Sequence, residues 1–476
     1  MPTPIVRILM SVDTPSRETA PPSTARPSTW AALRPLALRL HFYAGVLIAP
    51  LLFLAAVTGL LYALSFQAEN VLYRHELRVP VGEAVQPLTA QVAAAKAAHP
   101  EGEVTAVWPA PEEGATTRVL MKAPGLAEDE SLAVFVNPYT TEVRGALPST
   151  GSSGALPLRS WLSSFHADLK LGEAGRNYSE LTASWLWVVA LGGALLWIGR
   201  RRRSRLLRPE RGATGRRRTL SWHGSVGLWA VVGLVLLSAT GLTWSRYAGE
   251  NIAELKDRLG GATPTVAAAT AGGMGAGGHE HHEGMVMPPA APTALTLDQV
   301  AETARAQGVR ASIQISLPGA GKGFVVRERD TEFPVHLDSV AIDPADGKVL
   351  DVLRFSDYPL LAQLTRFGID AHMGVFLGLP NQLALAALAV ALIALIGWGY
   401  RMWWQRRPTR ERALGVGRPQ PRGAWRKVPL AVLLALGAAT AVVGWFVPLL
   451  GISLLAFLAV DALLGLRART RAARTS

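Results

Sequence analysis

The sequence predicts a membrane α-helical bundle: a four-helix core from two parallel span–lobe–span repeats, a C-terminal two-helix hairpin, and two small α+β lobes outside the bilayer. Three observations predict it. Hydrophobic residues make up 49% of the 476-residue chain, but they gather in six runs, each near the ~20 residues that cross a bilayer. Basic residues gather in the short segments between runs. The two halves of the chain also repeat one another around four histidines.

Taken in order, residues 1–36 are a polar, disordered tail and 37–64 the first span, which is longer than a signal-peptide core and is expected to be retained. Residues 65–180 form the first lobe, 181–199 the second span, 200–220 an arginine-rich loop, and 221–245 the third span. The second lobe covers 246–380 and carries a low-complexity insert, 259–294, expected to be disordered. A fourth span, 381–402, leads into a basic loop, 403–427. The hairpin, 428–466, turns at Pro448, and a basic tail follows at 467–476. Asp461, inside the hairpin, is expected to snorkel or pair.

The net charge of +13 raises the question of a nucleic-acid partner, and its distribution answers it. Segments 1–39, 200–220, 401–427 and 467–476 hold 28 of the 48 Lys and Arg but 4 of the 35 acids. Short basic loops stay on the cytoplasmic side. Six spans then place both termini inside and both long, acidic loops outside. The basic excess is topology with attraction to anionic membrane lipid, and no nucleic acid is implied. The chain has no cysteine. Disulfides, thiolate zinc sites, cysteine-ligated iron–sulfur clusters and covalent c-type haem are therefore excluded.

The repeat carries the chemistry. "RLHFYAGVLIAPLLFLAAVTGLLYAL" and "SWHGSVGLWAVVGLVLLSATGLTWS" align at His41/His223, Gly45/Gly227, Thr58/Thr240 and Gly59/Gly241. "FHADLKLG" and "AHMGVFLG" align at His166/His372 and Gly172/Gly378. Each lobe repeats a short helix, at "LTAQVAAAKAA" and "LTLDQVAETARAQ", with Thr296 and Asp298 as possible caps of the second. Each also repeats a hairpin, at "AVFVNPYTTEVRGAL" and "VAIDPADGKVLDVL". Eighteen helical residues make five turns, so His41 and Gly59 share a face about 27 Å apart. The stripe of His41, Gly45 and Gly59 faces that of His223, Gly227 and Gly241 across a pseudo-twofold axis. Histidine pairs supply axial nitrogens and glycines clear space for a flat macrocycle, a pattern suited to two bis-histidine haems b. The expected pairs are His41/His223 near the inner face and His166/His372 near the outer. The last two must come from segments folded back onto the outer surface. Within a span, Thr-Gly on its own reads as helix-packing chemistry.

The insert offers a second metal pattern: His279, His281, His282, Met285 and Met287, of a kind that suits copper. "LPGAGKGF" lacks the P-loop spacing, and no dinucleotide fingerprint is present. His75, His99 and His336 have no partner in the repeat and read as surface residues.

Over residues 35–408 the chain resembles the PepSY-associated transmembrane family of bacterial inner-membrane proteins. The resemblance rests on "LHFYAGVLIAPLLFLAAVTGLL", "FHADLKLG", "WHGSVGLWAVVGLVLLSATGLTW" and "AHMGVFLGLPNQL". It implies periplasmic PepSY-like lobes. It also implies that His41, His166, His223 and His372 occupy haem-ligand positions, and that the substrate is a ferric siderophore or other ferric chelate. The electron donor is then a quinol, or a cytoplasmic flavoprotein or ferredoxin. Two other readings stand beside this one: a non-enzymatic copper or iron accessory using the insert, and a regulatory protein acting through its lobes.

Overall fold

The computed structural model describes residues 28–200, 206–270, 295–310, 312–329, 332–406 and 422–475. The insert histidines His279, His281 and His282, with Met285 and Met287, lie outside the described residues. So do most of the tail and parts of both basic loops.

The first span is two helices, α1 (Thr29–Leu47) and α2 (Ala49–Leu72), where the sequence suggests one continuous span over 37–64. Pro50 is the reason. It has no N–H to offer the Val46 carbonyl four residues back, and the Tyr400 hydroxyl donates to that carbonyl instead, at 2.9 Å. Ser28 caps α1, accepting from the Ala31 N–H.

The chain continues through α3 (Arg74–Leu77), α4 (Leu88–Ala98) and strands β1 (Glu103–Trp108), β2 (Thr117–Lys122), β3 (Glu130–Val136) and β4 (Val143–Thr150). Then come α5 (Pro157–Asp168) and α6 (Gly172–Ile198). The second half supplies α7 (Gly215–Leu242), α8 (Tyr247–Arg258), α9 (Leu297–Ala306), β5 (Ile313–Ser316), β6 (Phe324–Glu328), β7 (Ser339–Ile342) and β8 (Val349–Leu353). It ends in α10 (Leu360–Met373) and α11 (Leu379–Trp404), followed by α12 (Leu430–Phe446) and α13 (Pro448–Thr475).

Among the described residues, five helices are long and apolar enough to cross a membrane: α2, α6, α7, α11 and α13 as far as Ala468. The sixth expected span, α12, is an apolar helix of 17 residues. The chain is a multi-pass membrane protein. Helix α2 packs on α11, α6 on α7, and α7 on α11. The hairpin docks on the outside of this group. The Trp185 indole of α6 donates to Ser453 at 2.9 Å, and Asp461 accepts from both Arg39 and Arg422 at about 3 Å. Pairing, not snorkelling, is the outcome for Asp461.

The two lobes share one sheet. Eight antiparallel strands run in the order β4-β3-β2-β1-β5-β6-β7-β8. The halves join where Ala106 and Val107 of β1 pair with Ser316 and Ile315 of β5. The expected separate modules are thus two four-stranded halves joined edge to edge, which covers two otherwise open strands. Both predicted hairpins form, as β3–β4 and β7–β8, and they repeat in detail. An Asx turn starts each loop, with Asn137 accepting from Tyr139 N–H and Asp343 from Ala345 N–H. The register slips at Phe135/Val136 and again at Ala341/Ile342.

Alternation along the strands gives the sheet two buried faces. Val119, Met121, Val134 and Val136 meet α4, while Val326 and Val340 meet α9. Trp108, Leu120 and Phe135 point the other way, toward Leu156 and Tyr73 at the membrane domain. Thr296 and Gln299 form a complete capping box on α9. Asp298 is no cap: its carboxylate accepts the Leu88 N–H at 2.9 Å and ties α4 to α9.

Helices α5 and α10 fold back under the sheet, as their histidines require. Helix α5 packs on α2, and α10 on α7. After each, a glycine turns the chain into the next span with the same positive φ, +56° at both Gly172 and Gly378.

Candidate cofactor sites

Two histidine pairs sit at opposite ends of the helix group. His41 of α1 and His223 of α7 have ring centroids 6.4 Å apart. His166 of α5 and His372 of α10 have centroids 6.5 Å apart. Along α7, the 17 residues between His223 and Thr240 rise about 25 Å, close to the ~30 Å depth of the hydrocarbon.

The lobe-side pair is held by threonines. Thr58 Oγ1 lies 2.8 Å from His166 Nδ1, and Thr240 Oγ1 lies 2.7 Å from His372 Nδ1. Each hydroxyl already gives its one proton to a helix carbonyl, Leu54 at 3.0 Å and Leu236 at 2.7 Å. It therefore accepts from Nδ1–H, which places the proton on Nδ1 and leaves Nε2 with a free lone pair. Burial lowers the pKa of both rings, that of His372 to about 3 with the His166 charge as second cause, so both are neutral. A β-carbon at Gly59 would stand 3.3 Å from His166 Cε1, and one at Gly241 3.6 Å from His372 Cε1. These two glycines seat the imidazoles; the sequence suggested that they clear a macrocycle. A cavity of about 580 Å³ surrounds the pair, apolar apart from a few groups such as Arg176 and Asp168. That size suits a mid-sized organic ligand.

The other pair is held by backbone. His223 Nδ1 donates to the Leu395 carbonyl at 3.0 Å. His41 Nδ1 is buried without a hydrogen-bond partner, and the Val189 backbone of α6 faces its ring. Gly193 lies against His41, where a β-carbon would come within 2.8 Å of Cε1. Gly45 faces open space, with nothing within 4 Å of where a β-carbon would be, and Gly227 faces Leu395 at 3.6 Å.

The structure thus brings together all four histidines in the expected pairs. Reading the sequence missed the role of Thr58 and Thr240, although both stand at matched repeat positions; Thr-Gly read as packing chemistry hid it. It also missed Gly193 and the Leu395 carbonyl, which no motif marks.

A metal nitrogen bond of about 2 Å on each side, with each ring centroid about 1.2 Å behind its nitrogen, sets two centroids roughly 6–6.5 Å apart. Both pairs have that spacing. Among the described residues no group of three or more His, Asp or Glu is gathered for a bare ion. Two imidazoles are too few for a bare zinc or calcium. They suit an ion that brings its own equatorial ligands, as haem iron does.

The family description "PepSY-associated TM region" matches residues 38–406, well over half of the chain. The chain belongs to this family. No curated protein matches it. The family match contains all four histidines and the whole sheet, and it stops before α12 and α13.

Proposed function

We propose that this family member is an inner-membrane di-haem b oxidoreductase. It takes electrons on the arginine-rich, cytoplasmic side and delivers them to a ferric chelate, such as a ferric siderophore, on the periplasmic, lobe side. Four helix units form its core, and the halves of the sheet are its PepSY-like lobes. One observation carries the reading: two imidazole pairs at a shared-iron spacing, about 25 Å apart along one helix.

His41 and His223 would hold one haem, and His166 and His372 the other. Haem iron between two neutral imidazoles supplies a reversible one-electron couple. The chain does the rest. Thr58 and Thr240 fix the tautomer and angle of their histidines. The Leu395 carbonyl does so for His223. Apolar residues of α2, α7 and α11 line much of the cavity around the lobe-side pair. No side chain need act as acid or base, because one electron turns Fe(III) into Fe(II) and weakens its hard-oxygen coordination. The donor is a quinol, or a soluble flavoprotein or ferredoxin, since no nucleotide-binding motif is present.

An oxidised-minus-reduced visible spectrum of the purified protein, with haem counted per chain, tests this. A b-type spectrum near two haems per chain is expected, falling to about one in His41→Ala and in His166→Ala. Colourless protein from haem-replete cells would overturn the reading.

A further inference from the structure

Three guanidinium groups from three parts of the fold meet on the membrane-facing side of the sheet. Arg159, in the first turn of α5, is buried and binds Glu69 of α2 twice, through Nε at 3.0 Å and its backbone N–H at 3.0 Å. It also lies 4.7 Å from the Phe66 ring centroid. Arg118, on β2, sits between the rings of Trp108 and Phe135 at 5.6 and 5.3 Å. Arg329, just past β6, stacks on Trp108 from the second half of the sheet at 3.1 Å. Arg118 and Arg159 share the Gly154 carbonyl, and Arg329 donates to the Ser152 carbonyl.

The charges do not balance. Among the described residues, Glu69 is the one carboxylate that pairs with any of the three. Burial lowers Arg118 to about 10, with Arg159 as second cause, and Arg329 to about 9, with Arg118 next. Both stay protonated at neutral pH. Two donors at the stack are also unsatisfied: Arg329 Nε and the Nε1 of Trp108, which is 4% exposed. Arg159 is buried with its counter-charge, whereas Arg118 and Arg329 are half-buried positive charges without one; such charge costs stability, and unpaired buried donors add to that cost. A stack serving only to clasp the two halves of the sheet would need neither.

Planar guanidinium forks match carboxylates in a bidentate manner. The Ser312 carbonyl accepts the Arg329 backbone N–H at 2.8 Å and fixes the start of that side chain beside β5. Seven residues separate Arg159 from His166 on α5. That is two turns, so both lie on one face about 10 Å apart along the axis.

We infer that Arg118, Arg159 and Arg329 form an anion site that binds carboxylate groups, and that it holds an anionic, carboxylate-bearing ferric chelate beside the lobe-side histidine pair. The chelate assignment rests on the proposed function; carboxylate binding does not. Calorimetric titration of the full-length, haem-loaded protein with redox-inert gallium(III) citrate tests it. Saturable binding is expected, weakened by salt, about tenfold weaker in Arg329→Gln and lost in Arg118→Gln/Arg329→Gln. Arg329→Lys, which keeps the charge but not the fork, should recover part of the affinity. Unaltered binding in Arg329→Gln, or no binding to the parent protein, overturns the site. If only haem-free protein binds citrate, the cluster serves the cofactor's own carboxylates, and the chelate assignment falls. If the protein holds no haem yet binds citrate through these arginines, the site stands and the reductase reading falls.

Discussion

The two histidine pairs are built from one repeated sequence, yet their rings are held by different means. On the lobe side, each imidazole leans on a threonine hydroxyl from a span, and each rests on the glycine that follows that threonine. On the arginine side, His223 leans on the Leu395 carbonyl, and His41 faces the Val189 backbone with no side-chain anchor. The difference follows from where the histidines lie. His41 and His223 belong to spans and are aimed by their helices. His166 and His372 come from short helices that hang from the sheet, and such an element needs a side-chain anchor that a helix packed along its length against the other spans, as α1 and α7 are against α6, does not.

If that is right, removing the anchors separates the two sites. Thr58→Val/Thr240→Val keeps the shape but withdraws both acceptors from Nδ1–H. Loss of such outer partners costs about 10- to 100-fold in metal affinity. Haem retention through a chelating or detergent wash should fall by that factor at one site only. The His41/His223 signal should persist, and an equal loss from both sites would refute the contrast.

The contrast was only partly legible. Spacings of 4, 17 and 18 residues revealed the repeat, and the symmetric placement of His166 and His372 gave the pairs. The hairpins were legible because Asn137-Pro138 and Asp343-Pro344 mark turns between alternating runs. The joining of β1 to β5 was not, because an edge strand carries the same alternation whether or not a partner lies beside it. The break at Pro50 was obscured by an unbroken apolar run. The anchoring role of Thr58 was hidden because a threonine in a span has a sufficient local explanation in back-bonding to its own helix.

A second prediction sharpens the comparison within the lobe-side pair. A β-carbon at Gly59 lies 3.3 Å from His166 Cε1, tighter than an ordinary contact, while one at Gly241 lies 3.6 Å from His372 Cε1. Gly59→Ala must therefore push His166 by a few tenths of an ångström, and Gly241→Ala need not. The midpoint potential of one haem should shift in Gly59→Ala, with a smaller shift in Gly241→Ala. The reverse order would mean that the glycines clear a macrocycle and do not seat the rings.

Gly45 gives the smallest expected effect and the cleanest contrast with those two. Nothing lies within 4 Å of a β-carbon there, and alanine favours a helix over glycine by about 1 kcal/mol. Taken alone, the polypeptide should accept Gly45→Ala and melt no lower without cofactor. If a planar group lies between His41 and His223, the added methyl meets that group and not the protein. Haem content should then fall modestly at the arginine-side pair while the haem-free melting temperature holds or rises. Unchanged haem content with the same melting behaviour would place the macrocycle away from this face of α1 and limit the glycine stripe to helix packing.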